Sequence, residues 1–228
     1  MIAQNLAQVK QRIEDSAKRA GRNPQEITLI CVTKSVGVSR IGEALALGIT
    51  DIGENRANDA LLKYNNLGEL SNNLRWHMIG HLQTNKVCKF LKVFDVIHSL
   101  DSLRLAVELD EQARLVNKRI DCIVEVNVSG EEAKYGIDPG DAFNFIKEIS
   151  LLPNLHIIGL MTMAPYADSQ EAARPYFKGL ATLRDNLSNE DIPNTDIREL
   201  SMGMTQDFEI AIEEGATFVR IGTALFSA

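Results

Sequence analysis

The chain has 228 residues, of which 45% are hydrophobic, and 24 Lys and Arg against 31 Asp and Glu give a formal net charge of −7. This composition predicts a globular protein with a full hydrophobic core and excludes a disordered chain. The acidic balance argues against a duplex-binding surface, so we expect no nucleic-acid partner. It does not argue against a local pocket for a small anion.

Cysteine usage and the N-terminal segment both indicate a soluble intracellular protein. Cys31, Cys88 and Cys122 lie far apart without metal-ligand spacing, and two of them lie inside apolar runs, where free buried thiols are common. Polar residues recur through the first residues of the chain, which is unlike a signal peptide. No run approaches the ~18 apolar residues that a membrane helix needs. We therefore expect a cytoplasmic protein without membrane contact.

Apolar runs alternate with amphipathic stretches along the whole chain. Met1–Ala20 is predicted as a helix that Gly21 ends, because its apolar residues have helical spacing. Strands are then predicted at Ile27–Thr33, Asp51–Gly53, Arg75–Ile79, Val96–His98, Ile120–Val128, His156–Met163, Ile197–Ser201 and Phe218–Ile221. Helices are predicted after the first seven strands at Ser39–Leu47, Arg56–Tyr64, Asn85–Leu91, Asp101–Val116, Pro139–Leu151, Ser169–Leu187 and Asp207–Glu214.

This alternation predicts an α/β fold, a (β/α)8 TIM-type barrel that forms a single domain over residues 1–228. The last strand has no predicted helix after it, and we expect the extra N-terminal helix to cover that gap. The alternative is an open doubly wound sheet, but no G-x-G-x-x-G motif follows the first strand.

The candidate site residues lie at the carboxyl ends of the predicted strands, where barrels of this kind bind their ligands. They are Lys34, Asn55, His77, Ser201, Gly203, Arg220, Gly222 and Thr223. Lys34 follows a continuous apolar strand, and loss of solvation in an apolar barrel mouth would favour the neutral, nucleophilic amine that Schiff-base chemistry requires. The alternative is a lysine that ends a strand and extends its amine into water.

The loops after the seventh and eighth strands are the usual phosphate site of such barrels. Gly203 and Gly222 let backbone N–H groups approach anionic oxygens, and the alternative is an ordinary tight turn followed by a helix cap. Arg220 lies within an apolar strand, and a buried guanidinium needs a partner, either a ligand ring nitrogen or a neighbouring carboxylate.

His77 and His81 have H-x-x-x-H spacing, but the adjoining glutamate of a zinc motif is missing and Gly80 interrupts the segment. We therefore expect no metal, and we interpret His77 as a hydrogen-bonded histidine at the barrel rim. The segment Lys134-Tyr135-Gly136 has no chemical explanation beyond a loop turn.

Several segments resemble the pyridoxal phosphate homeostasis proteins, which are similar to the barrel domain of alanine racemases. The segments are Val32–Lys34, Gly53–Asn55, Trp76–Lys86, Val126–Asn127, Lys134–Gly136, Gly159–Met163, Leu200–Met204 and Val219–Thr223. They extend in order along the chain, and Trp76–Lys86 and 201–207 are the most specific.

The resemblance implies that Lys34 carries pyridoxal 5′-phosphate (PLP) as a Schiff base. It implies that Ser201, Gly222 and Thr223 hold the phosphate, that Arg220 faces the pyridine nitrogen, and that Asn55 and His77 lie near the ring. An arginine beside that nitrogen would discourage its protonation and weaken the ring as an electron sink.

Two function classes fit these residues, and a third fits them less well. The first is a non-catalytic PLP carrier, expected to be a monomer, that buffers the cofactor or delivers it to apo forms of PLP-dependent enzymes. The second is a racemase-like enzyme, which needs an acid/base group on each face of the cofactor. We favour the carrier, because the chain ends at its eighth strand, without the second domain of racemases, and no tyrosine directly follows a strand. The third is a barrel phosphatase or lyase in which Lys34 is incidental.

Overall fold

The structure is a computed structural model that describes residues 1–131 and 133–227. Eight parallel strands form a closed barrel in which each strand pairs with its neighbours in sequence and β8 pairs with β1. The strands are β1 Thr28–Val32, β2 Asp51–Glu54, β3 Arg75–Met78, β4 Val96–Leu100, β5 Ile120–Glu125, β6 Leu155–Met161, β7 Thr195–Met204 and β8 Phe218–Ile221. The predicted (β/α)8 barrel is confirmed, and the open doubly wound sheet is wrong.

The helices surround this barrel. They are α1 Ile2–Arg19, α2 Val38–Ala46, α3 Ala57–Leu67, α4 Val87–Phe90, α5 Leu103–Leu115, α6 Ala142–Ile149, α7 Arg174–Ser188, α8 Phe208–Glu213 and α9 Thr223–Phe226. The predicted helix Ser169–Leu187 begins late, because a 3₁₀ turn at Gln170–Ala173 precedes α7, which has a proline in its first turn. The prediction that no helix follows the last strand is wrong, since α9 forms one turn there.

The N-terminal helix α1 packs against α8 and α9, as its predicted covering role requires. Its apolar face buries Leu6, Val9 and Ile13. The Asn5 amide donates to the carbonyl oxygens of Leu225 and Ser227, at 3.2 and 3.1 Å. These contacts cover the side of the barrel that the short α9 leaves open.

The barrel interior has an apolar layer with polar residues above and below it. Ile30, Val96, Ile123, Ile158, Met161 and Phe218 form this layer. Because side chains alternate along a strand, Arg220 and Glu125 lie on the same inward faces as Phe218 and Ile123. In the described part of the chain, no helix has both the length and the hydrophobicity to cross a membrane.

Candidate functional site

A cavity of about 940 Å³ opens at the carboxyl ends of the strands. It has the size of a small-molecule site. Five of the predicted site residues line it together: Lys34, Asn55, Arg220, Gly222 and Thr223. They come from the ends of β1, β2 and β8, which are neighbours in the barrel, so residues distant in sequence meet at one rim.

Lys34 is exposed in this cavity, so the expectation of a desolvated amine is wrong for the protein alone. The strand end below it is firmly held. Thr33 Oγ1 donates to Glu54 Oε1 at 2.5 Å, and Lys63 Nζ donates to the Thr33 carbonyl oxygen and to Glu54 Oε1, both at 2.6 Å. The backbone before Lys34 is therefore anchored, while its side chain is exposed at the cavity.

Asn55 is positioned by the close approach of Gly80. A Cβ at Gly80 would lie 2.4 Å from the Asn55 carbonyl oxygen and 2.8 Å from its Cα, closer than non-bonded atoms approach. The adjoining Ile79 N–H donates to the Glu54 carbonyl oxygen at 3.0 Å. The glycine after β3 thus lets the two loops touch, and it keeps Asn55 at the rim.

Arg220 is 4% exposed and projects from β8 into the top of the barrel. Its Nη1 donates to the Ser201 carbonyl oxygen at 2.7 Å and to Ser201 Oγ at 2.6 Å, and its Nη2 donates to the Thr162 carbonyl oxygen at 2.9 Å. Burial lowers the pKa of Arg220 to about 10, although the charges of Glu125 and Asp207 oppose this. No carboxylate of the described residues forms an ion pair with it, so neutral oxygens are its partners here.

Three predicted site residues, His77, Ser201 and Gly203, do not line the cavity. Ser201 is fully buried, and its hydroxyl is bonded to His98 Nδ1 at 2.8 Å and to Arg220. His77 lies inside the barrel rather than at its rim, bonded to Asp51 and His98, because the strand pleat turns its side chain inward.

Gly203 is the second-to-last residue of β7 and shapes the turn that follows this strand. Its φ is +89°, and an added Cβ would lie 2.6 Å from the Ala211 Cβ and 2.8 Å from the Phe208 Cα. Only glycine suits this left-handed backbone pressed against α8. Gly203 therefore positions Met204 and Thr205, which do line the cavity.

Two inward-facing residues, His98 and Glu125, were missed from the sequence. Both are almost fully buried, at 0% and 4% exposure. The candidates lie just after each apolar run, whereas His98 and Glu125 lie within their strands. The available signal was the two-residue periodicity of β4, which places His98 on the same face as Val96. Desolvation raises the pKa of Glu125 to about 7, Asp101 adds to this, and Arg220 opposes it.

The cavity wall offers backbone donors suited to an anion. No described residue accepts a hydrogen bond from the Thr205 or Gln206 N–H in this turn. Thr223 is the first residue of α9, where helix geometry leaves N–H groups unbonded. A Cβ at Gly222 would meet the Val32 carbonyl oxygen at 3.1 Å, so the strand ends are tightly apposed below these donors.

His81 lies outside this cavity and stacks on Tyr135, with ring centroids 4.1 Å apart, while its Nδ1 is 3.3 Å from Asp101 Oδ2. The neighbouring Lys134 forms an ion pair with Glu131. Within residues 1–131 and 133–227, no group of three His, Cys, Asp or Glu side chains could hold a metal ion. These contacts explain the local packing of the loop after β5 and add no group to the cavity.

Comparisons with known proteins agree with the barrel fold. Residues 4–228 match the family model of the alanine racemase N-terminal domain. The pyridoxal phosphate homeostasis protein of Aquifex aeolicus is 44% identical over 223 residues, which are 98% of this chain and 96% of the relative. That of Pseudomonas aeruginosa is 40% identical, over 100% of this chain and 95% of the relative. The structure of PipY from Synechococcus elongatus with PLP bound superimposes with a TM-score of 0.87 at 34% identity, over 100% of both chains.

Proposed function

This chain belongs to the family of pyridoxal phosphate homeostasis proteins, and we propose that it holds PLP in the cavity at the carboxyl ends of β1, β2 and β8. Its role there is to buffer or deliver the cofactor within the cell, without substantial catalysis of its own. One observation carries the proposal: an exposed lysine amine and a set of free anion donors share one cavity with a buried arginine. The bound cofactor of the related PipY supports it.

The residues present fit the cofactor both at its aldehyde and at its phosphate. When bound, PLP supplies an aldehyde, which condenses with a primary amine with loss of water. Lys34 presents such an amine, and the anchored Thr33 backbone limits its reach to the cavity. Asn55, fixed by the approach of Gly80, would orient the ring beside it.

The phosphate would be held at the opposite wall by Gly222, Thr223 and the turn at Thr205 and Gln206. Their free N–H groups and hydroxyls are the donors that phosphate oxygens accept from. Three residues would support the cofactor site from beneath without lining the cavity. Ser201 bonds Arg220, and His77 acts on Ser201 through His98. Gly203 shapes the loop after β7. The family resemblance implies that Ser201 itself holds the phosphate. We assign Ser201 an indirect role instead, because its hydroxyl is already hydrogen-bonded inside the barrel.

Arg220 would face the pyridine nitrogen as a hydrogen-bond donor. Only three of its five N–H groups are used within the described residues, and the side chain borders the cavity. A donor that is charged at neutral pH leaves that nitrogen unprotonated, which weakens the ring as an electron sink. This favours holding the cofactor over transforming amino acids with it.

The tyrosine that borders the cavity is not fixed as the second acid/base group that racemisation requires. Tyr166 borders the cavity but is 82% exposed, and none of the described residues forms a hydrogen bond that would hold its hydroxyl over the site. An open mouth also admits water, which a cofactor enzyme generally excludes. Both features suit a protein that loads and releases PLP.

The test is loading of purified protein with PLP, reduction with borohydride, and peptide mass spectrometry. We expect one pyridoxyl group on Lys34, none in Lys34→Ala, and full labelling in the control Lys10→Ala, whose side chain is exposed on α1. Labelling spread over surface lysines, or unchanged in Lys34→Ala, would refute the site.

A second measurement tests the absence of catalysis and the delivery role. Racemisation and transamination of common amino acids by the loaded protein should stay near the rate of free PLP at equal concentration. A rate several orders of magnitude higher, lost in Lys34→Ala, would show an enzyme instead. The loaded protein should also reactivate an apo PLP-dependent enzyme, and we expect it to sediment as a monomer and to fractionate with the cytoplasm.

A further inference from the structure

An uninterrupted chain of hydrogen bonds crosses the barrel interior and ends at the candidate cofactor site. We call the residues Asp51, His77, His98, Ser201 and Arg220 the interior chain. Asp51 Oδ1 lies 2.9 Å from His77 Nε2, His77 Nδ1 lies 2.9 Å from His98 Nε2, and His98 Nδ1 lies 2.8 Å from Ser201 Oγ. Arg220 Nη1 completes the chain at 2.6 Å from Ser201 Oγ.

The chemistry of its two ends gives the interior chain a single direction. An ionised carboxylate only accepts hydrogen bonds and a guanidinium only donates them. As a neutral imidazole, His77 must therefore donate from Nε2 to Asp51 and accept at Nδ1. His98 then donates from Nε2 and accepts at Nδ1, where only the Ser201 hydroxyl can donate. The hydroxyl proton points toward His98, which leaves the Ser201 oxygen lone pairs free for Arg220.

The surroundings of the interior chain favour the neutral imidazoles that this direction requires. Burial lowers the pKa of His77, against the opposing effect of Asp51, and lowers that of His98 well below the ordinary value. Burial alone would raise the pKa of Asp51, but hydrogen bonds with His77 and Thr50 hold it below the ordinary range. Phe218 packs against both imidazole rings, with centroids 5.7 and 5.6 Å away.

We propose that Asp51, His77 and His98 are positioning residues, which orient the Ser201 hydroxyl so that Arg220 is held with its unused N–H groups toward the cavity. The proposal rests on the proposed function, because the cavity side of Arg220 matters only if a cofactor binds there. Without the acceptor at His98, the hydroxyl proton is free to turn toward Arg220, and one of the three bonds that fix the guanidinium is lost.

The direction of the interior chain is tested on cofactor-free protein by NMR with isotope-labelled histidine. We expect His77 and His98 both to be neutral and protonated at Nε2. In Ser201→Ala, His98 loses its donor at Nδ1, so its Nδ1 resonance should shift, while that of the control His156, which bonds Asp121 outside the interior chain, should stay unchanged. A protonated Nδ1 on either interior histidine would overturn the assignment.

The positioning role is tested by PLP affinity. We expect His98→Leu to weaken binding about ten-fold, as loss of one charge-assisted bond predicts, and His156→Leu to leave it unchanged. The effect of the double variant Asp51→Asn/Ser201→Ala on PLP affinity should differ by three-fold or more from the product of the two single effects, although the two residues do not touch. Additivity of that pair, or wild-type affinity in a folded His98→Leu protein, would overturn the inference. Failure of the wild-type protein to bind PLP would instead refute the proposed function, while the NMR result would still decide the direction.

Discussion

Replacing Glu125 by glutamine is expected to stabilise the protein at alkaline pH and to leave it unchanged at acidic pH. Glu125 lies inside the barrel on β5, where desolvation and then the charge of Asp101 raise its pKa from 4.5 to about 7. The folded state therefore holds this proton more tightly than the unfolded chain does. Folding stability is lost as the pH rises from about 4.5 through 7, because only the folded state must then bury the charge.

The raised pKa sets the size of the effect. A shift from 4.5 to about 7 corresponds to about 3 kcal/mol at pH 8, taking about 1.4 kcal/mol for each pH unit. Glutamine keeps the shape of the protonated acid and carries no charge, so Glu125→Gln should recover most of this amount. For a chain of this size, that is a rise of roughly 6–12 °C in Tm.

Urea unfolding of cofactor-free protein at pH 4 and pH 8 measures this difference. Comparing the variant with the wild type at each pH cancels the contributions of groups that do not interact with Glu125. Glu111→Gln, on the exposed side of α5, controls for removing one negative charge from an acidic protein. A gain of equal size at both pH values, or no gain at pH 8, would show that Glu125 does not carry a buried charge in the folded state.

Three further outcomes are expected. Lys34→Ala should unfold within about 0.5 kcal/mol of the wild type in urea, because its side chain is exposed; a larger loss would give Lys34 a structural role. Gly80→Ala should cost about 1–3 kcal/mol and reduce PLP binding in equilibrium dialysis, because its Cβ would displace the Asn55 backbone, whereas Gly179→Ala, with open space around it, should do neither. Thr223→Val should weaken PLP binding about ten-fold in dialysis and leave pyridoxal binding unchanged, since only PLP has the phosphate; an equal loss for both would place the phosphate elsewhere.

The order of the elements and much of the cavity rim could be predicted from the sequence. Buried parallel strands are continuous apolar runs, and polar residues follow them at the barrel mouth, as at Lys34 and Asn55. Gly222 and Thr223 follow the last strand in the same way and line the same cavity. Local hydrophobic patterning determines these features, because each depends on where a strand ends and not on which strand lies opposite.

The closed barrel determines which polar side chains point into its interior. Whether His77 and Ser201 face the cavity or the interior depends on the pleat and register of strands that pair across the barrel. The bond between His98 and Ser201 joins residues 103 positions apart, and no periodicity within either strand encodes that meeting. The exposure of Lys34 likewise depends on how the surrounding loops pack around the barrel mouth. Strand patterns in the sequence therefore determine which residues reach the ends of the barrel, and barrel closure alone determines which side chains meet inside it.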